Sequence, residues 1–366
     1  MVNSILFYSG ISIAVMKHEP LTQEHQHIAQ TVQHNCHISD ARYAGNYTLC
    51  VYLLKMREYY RWEKAHPFSA ALTNDDVGRW LTEREQLWDQ VERNTFEPIS
   101  TDGETFDPFE SNDINARLIE HGLIYSAGIG QKSKPHFFLG DLLRKEKING
   151  YTIYISAREY ARDLTSPPAM SQGTDIYIRR ESFRRMLWEK LETWRWNRPQ
   201  NAMASAIGYY DFDNDLEASL DEMTDHELGA AILHEIGEIR AGEILPGWAE
   251  MISDIAVTKA EIMARAVRDH LADAISTLPA LIEKQQQASL HFYFANLTSM
   301  RQLIFPSLLD TYRQWTDNGD IEVLSRLVDK SAQHWRQIAQ QMLDMHRRYG
   351  ENSHERIEQL VEHNYL

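Results

Sequence analysis

The chain has 366 residues, of which 43% are hydrophobic and 25% charged, and its formal net charge is −16. This composition excludes a disordered or fibrous chain and leaves room for about two to three domains. So negative a field repels phosphate backbones and lipid headgroups, which argues against nucleic acid and membranes as partners.

The N-terminus opens with an uncharged run, Ser4 to Met16, in "MVNSILFYSGISIAVMKHEP". It lacks the basic residues and cleavage site of a signal peptide and is too short to cross a bilayer as a helix. Residues 1–15 therefore read as an extension ahead of an internal start at Met16. Next, Ile28, Val32 and Cys36 recur every fourth residue and predict a short amphipathic helix. A second helix follows, capped by Ser39 or Asp40 and ended by His66-Pro67, with Tyr43, Tyr47, Cys50, Val51 and Leu54 on its apolar side. A third covers about residues 74–93, with Asn74 and Asp75 as caps. Residues 94–113 carry prolines, glycine and acids and read as a loop or linker.

The stretches "LIYSAGIGQKSKPHFFLG", "YTIYIS" and "DIYIRR" are rich in β-branched and aromatic residues and predict a hairpin and a small sheet. From about Arg180 onward the pattern is helical nearly to the end. The expected fold class is mainly α, a multi-helix, bundle-like protein with a small β-sheet insertion in the middle. Its expected parts are an N-terminal helical region (16–100), a small α+β region (114–180) and a C-terminal helical domain (181–366). Two cysteines, Cys36 and Cys50, make no disulfide framework, so the expected compartment is the reducing cytoplasm.

The chemistry concentrates in "AAILHEIGEIRAGE". On a helix advancing 100° per residue, Leu228, Ile232, Ile236 and Ile239 form one apolar stripe, and Glu227, His234 and Glu238 share a wedge about 40° wide away from it. Imidazole nitrogen with two carboxylates suits a divalent metal, zinc, iron or manganese. The expected metal ligands are Glu227, His234 and Glu238, with Glu235 as the catalytic acid/base that activates water. A zinc-peptidase helix would carry histidine where Glu238 stands, which argues against an ordinary zincin. The set also lacks the Glu-x-x-His of di-iron bundles, although Asp269 and Asp273 in "RDHLAD" share a face that offers a second helix. Set against the metal reading, the wedge lies opposite the apolar stripe, where solvated Glu and His need no explanation. Against that, Ala230, Ala231, Gly237, Ala241 and Gly242 are small, as on a helix buried on both sides.

Other groupings carry less. His27 with His34, or His37 with Asp40, sits at a spacing that permits metal binding. "REYYRWEK" pairs arginines with aromatics, as cation–π stacking or an aromatic-lined pocket does. "IYIRRESFRRMLWEK" is the most basic stretch and reads as a solvated helix start or a local nucleic-acid contact. There is no P-loop and no Gly-x-Ser-x-Gly elbow.

"HISDARYAGNYTLCVYLLKMREYYRWEKAHPFSAAL" resembles a block found in a family of uncharacterised bacterial proteins, and the resemblance extends to "LHEIGE". It implies a bacterial, cytosolic origin and no particular activity. The functional expectation is a metal-dependent hydrolase acting on a small-molecule or peptide substrate, with a homodimer as its candidate assembly. The alternatives are a di-iron-type oxidoreductase and a metal-free interaction or regulatory protein.

Overall fold

The computed structural model describes residues 20–130 and 133–366. The proposed extension at residues 1–15 lies outside the described residues. The chain divides into two compact units, residues 1–192 with 211–228, and residues 193–210 with 229–366. Among the described residues no helix is long and apolar enough to cross a membrane.

The N-terminal unit begins with α1 (Gln23–Tyr43), whose Thr22 cap accepts a hydrogen bond from His25 N–H. Ile28, Val32 and Cys36 are buried, as their fourfold spacing requires. Ser39 and Asp40 do not cap a second helix. They lie inside α1, where Ser39 Oγ donates to Pro135 O and Asp40 Oδ2 accepts Leu164 N–H. The break comes later, before α2 (Leu49–Glu63), and α3 (Asn74–Val91) follows with Thr73 as its cap. The apolar side expected of α2 is reversed. Cys50, Val51 and Leu54 are exposed, and the helix instead buries Met56, Tyr59 and Tyr60.

The expectation of a helical bundle with a small β insertion is corrected here. Helices dominate by residue count, but the N-terminal unit is organised on a five-stranded mixed sheet. A two-stranded hairpin, β1 (Ile99–Thr101) and β2 (Glu104–Phe106), and helix α4 (Ser111–Leu118) precede it. Then come β3 (Leu123–Ile129), β4 (Pro135–Ile148), β5 (Tyr151–Arg162), β6 (Ala169–Gln172) and β7 (Asp175–Arg179), in spatial order β3-β4-β5-β7-β6. Only β5 and β7 run parallel.

The size of the sheet was hidden by charge. β4 continues through the charged run Asp141–Lys147, and Asn149-Gly150, both at positive φ, turns it directly into β5. Asn-Gly is the favoured pair for such a tight hairpin. Helix α1 packs on β4 and β5, placing Cys36 Sγ 3.2 Å from Phe137 O. Gly140 is required where β4 and β5 pass closest, since a Cβ there would lie 2.5 Å from Arg158 O. The register slips beside Gly140, leaving Tyr160 as an extra residue on β5. Such a bulge re-aims side chains.

Helix α5 (Arg180–Asn197) starts directly from β7. The remaining helices are α6 (Ala202–Ile207), α7 (Leu216–Ile244), α8 (Trp248–Asp254), α9 (Lys259–Ala272), α10 (Leu278–Glu283), α11 (Gln287–Ala295), α12 (Ser299–Ile304), α13 (Pro306–Asn318), α14 (Glu322–Tyr349) and α15 (His354–Glu362). A π-helical turn, Asp273–Thr277, joins α9 to α10. In the C-terminal unit α9 packs on α14, where His270 stacks on the buried Trp335 with ring centroids 5.2 Å apart.

Candidate anion-binding site

A cavity of about 1680 Å³ opens in the N-terminal unit. Its wall is drawn from α1, α2, β4, β5, the first turns of α5 and the start of α7. Seven arginines line it, Arg61, Arg84, Arg158, Arg162, Arg180, Arg184 and Arg185, beside eight Asp and Glu side chains.

Most of these arginines are spoken for. Arg61 Nε donates to Glu58 at 3.0 Å, and Arg84 pairs with Glu63. Arg180 Nε donates to Asp225 at 2.7 Å, Arg184 Nη2 to Glu217 at 2.7 Å, and Arg185 Nη1 to Glu189 at 2.6 Å. Carboxylates thus cancel the positive charge around much of the rim.

Arg162 differs. It is 1% exposed, at the end of β5. Its backbone is satisfied, since Gln33 accepts from its N–H at 3.1 Å and donates to its C=O at 3.2 Å. Its guanidinium lies 4.8 Å above the Trp62 ring and 5.5 Å from that of Tyr59. Stacking engages the guanidinium faces and leaves its in-plane donors unused. Among the described residues no carboxylate forms an ion pair with it, and Nε is buried without a partner. Burial and the nearby Arg185 charge lower its pKa to about 10. Arg162 therefore remains charged at neutral pH in a setting that disfavours the charge.

Opposite charge lies close without closing on Arg162. Glu159, in the adjacent position of β5 to the bulged Tyr160, is fully buried and accepts from Arg179 Nε at 3.2 Å and from Ser182 N–H at 3.1 Å. Burial opposes its ionisation, but Arg179 and Arg162 outweigh that and hold its pKa below the usual range. Glu181, in the first turn of α5, accepts Glu159 N–H at 2.6 Å. Burial and the Glu159 carboxylate push its pKa up to about 7. His37, on the α1 side, accepts from Arg84 Nη1 at 2.6 Å, and burial and that guanidinium lower its pKa to about 3, so the ring is neutral. Neither His37 nor Asp40 is disposed as a metal pair. Asp40 instead accepts from Lys134 Nζ at 2.7 Å.

The residues singled out from the sequence lie on α7. Glu227 is 1% exposed and belongs to the N-terminal unit, whereas His234, Glu235 and Glu238 belong to the C-terminal one. The His234 side chain is 34% exposed and bridged on both nitrogens. Nδ1 donates to Asp273 Oδ1 at 2.8 Å, and Nε2 lies 3.3 Å from Glu238 Oε1. Burial works against a charged ring, but Asp273 and Glu238 outweigh it and raise the His234 pKa well above its usual value. Each carboxylate also has an arginine: Arg268 Nη2 donates to Glu238 at 3.1 Å, and Arg301 pairs with Asp273. Asp273 reaches His234 from the π-helical turn, on the face already marked out by "RDHLAD". Gly237 permits the approach, since a Cβ there would fall 2.5 Å from Ala272 O. The arrangement is an ion-pair network, with Asp269 beside it in no ion pair among the described residues and its pKa raised by burial and by Glu238 and Asp273, against the pull of Arg301 and His234. Among the described residues no group of three or more His, Cys, Asp or Glu side chains is placed to hold a metal ion.

Two family models match the chain, the N-terminal domain (residues 27–179) and the C-terminal domain (residues 184–364) of a family of unknown function, DUF6866. The chain belongs to this family. No curated protein and no solved structure matches it. The gap between the two family domains falls at the β7–α5 junction, so the cavity takes Arg162 from the first domain and Arg184 and Arg185 from the second. Sequence reasoning missed this site. The "IYIRRESFRRMLWEK" run supplies Arg180, Glu181, Arg184 and Arg185 to it, and "REYYRWEK" supplies Arg61 and Trp62.

Proposed function

We propose that this protein recognises a small anionic molecule in the cavity of its N-terminal unit. One observation carries the reading: Arg162 is a buried guanidinium beside a cavity, with Nε unpartnered and no carboxylate in an ion pair with it among the described residues. Burying a charge without a partner is costly, and an anion that arrives as ligand supplies the partner. The planar fork of donors suits carboxylate or phosphate oxygens. Trp62 and Tyr59 hold that fork flat and so fix its orientation before the ligand enters. Isothermal titration with inorganic phosphate, pyrophosphate and citrate tests the proposal. Saturable binding of at least one, weakened at least about tenfold by Arg162→Gln, is expected. Equal binding by both proteins, or binding by neither, contradicts it.

A second reading is a divalent-metal enzyme, hydrolytic or redox, at His234, Glu238 and Glu227 with Glu235 as acid/base. It has one observation in its favour, the second carboxylate that Asp273 brings to the His234–Glu238 pair. A cation there must displace both Arg268 and the His234 proton. Metal analysis of chelator-free wild type and His234→Ala decides between the readings. A full equivalent lost in the variant supports the metal, and none in either protein removes it.

A further inference from the structure

We infer that Glu181 makes the cavity selective for an oxyanion that keeps a proton near neutral pH, of the inorganic-phosphate type, over one that is fully ionised, of the sulfate type. The inference rests on the anion reading above and specifies its ligand class.

The geometry begins with the fixed position of Glu181. Its Oε2 is anchored by Glu159 N–H at 2.6 Å, at the start of α5, and the side chain lines the same cavity as Arg162. Among the described residues no protein donor is seen on Oε1. The charged groups facing Glu181 from β5 are Glu159, Arg158 and Arg162. On its own helix Arg180 and Arg184 are tied to acids of α7, and Arg185 is tied to Glu189. Glu159 is committed to Arg179 and to Ser182 N–H. Arg158 and Arg162 are thus the lining guanidiniums in no ion pair among the described residues; Arg162 is the buried one of the two, and Glu181 is the acid the anion then meets.

Two oxyanions face that pair differently. A phosphate oxygen on Arg162 leaves a P–OH that donates a hydrogen bond to an ionised Glu181, and that bond offsets the repulsion between the two anions. Sulfate has no such proton. It must find Glu181 already protonated, or bind against its negative charge. Burial and Glu159 raise the Glu181 pKa to about 7, so the carboxyl is mostly ionised at pH 8. A buried group left without its hydrogen-bond partner rejects the wrong ligand strongly. Discrimination should therefore be greatest on the alkaline side and shrink toward pH 6.

The test is isothermal titration of the full-length protein at pH 8 with inorganic phosphate and with sulfate, at matched ionic strength. Phosphate is expected to bind at least about tenfold more tightly. In Glu181→Gln, which keeps the shape and removes the charge, the two affinities should come within about threefold of each other. Glu181→Asp, which keeps the charge, should retain the preference, and both variants are checked for folding by their melting transitions. Equal affinities in the wild type overturn the role of Glu181 and leave the anion reading standing. A preference that survives in a folded Glu181→Gln does the same. Failure of both anions to bind overturns the anion reading itself.

Discussion

Two charge clusters, one in each unit, are built from the same side-chain types and end in different states. Around His234 the carboxylates Asp273 and Glu238 are each doubly paired: Asp273 serves the imidazole and Arg301, and Glu238 serves the imidazole and Arg268. Around Arg162, Glu159 is committed to Arg179 and the rim acids to the rim arginines, while Glu181 is held only by Glu159 N–H. Single unsatisfied guanidinium nitrogens occur in both clusters, on Arg268 and Arg301 as well as Arg162. They therefore do not distinguish the clusters, whereas the lack of any carboxylate on Arg162 does. A closed network contributes to the stability of one arrangement, while an open one beside a cavity has something left to offer a ligand.

The largest effect that can break this comparison is at Asp273. Asp273→Asn takes the counter-charge from Arg301 and one of two from His234, and breaking a buried pair costs about 3–5 kcal/mol. A loss of that size in urea unfolding is expected, and a change near zero would mean the network is not closed as described. Next is Gly237→Ala. Its Cβ meets backbone that has little room to move, which costs about 1–3 kcal/mol. Gly242→Ala meets nothing within 4 Å on the same helix and should be neutral or gain up to about 1 kcal/mol. Equal effects of the two would remove the close approach of α7 to the end of α9.

Smaller is the pH dependence set by Glu181. Its folded pKa is above its unfolded one, so the native state binds the extra proton. That stabilisation is complete below about pH 4.5 and is lost as pH rises toward about 7. Glu181→Gln should flatten this slope and melt above the wild type at pH 8, by on the order of 1 kcal/mol. An unchanged profile would show that Glu181 is an ordinary solvated carboxylate. His37 has the opposite sign, since its folded pKa is depressed to about 3. Its contribution is present above about pH 6.5 and is lost as pH falls toward 3, so His37→Gln should reduce acid sensitivity in the same melts.

How far the sequence could be read follows from the same contrast. The His234 network lies on two helices with regular spacing, so i, i+4 arithmetic found His234 with Glu238 and pointed to the face holding Asp273. It could not see Arg268 or Arg301, which arrive through packing and pair with Glu238 and Asp273. The cavity was invisible for a related reason: Trp62, Arg162 and Glu181 are far apart in the chain and share no period. The run at residues 179–190 showed its positive charge plainly. Which of its arginines keep a partner depends on acids of α7, some 30 to 45 residues further on. The sheet was located correctly and undersized, because the strand through Asp141–Lys147 is masked by charge. The apolar side of α2 was placed inward, although Cys50, Val51 and Leu54 face out and the aromatic end of that helix is the part that packs.

The most direct measurement compares urea unfolding midpoints of wild type and Arg162→Met, each with and without inorganic phosphate. Methionine keeps the contact with Trp62 and Tyr59 and removes the charge. Without phosphate the variant should be as stable as the wild type or more so, and added phosphate should raise only the wild-type midpoint. A variant that is strongly destabilised alone, or that gains as much from phosphate as the wild type does, would contradict an unpaired Arg162 waiting for an anion.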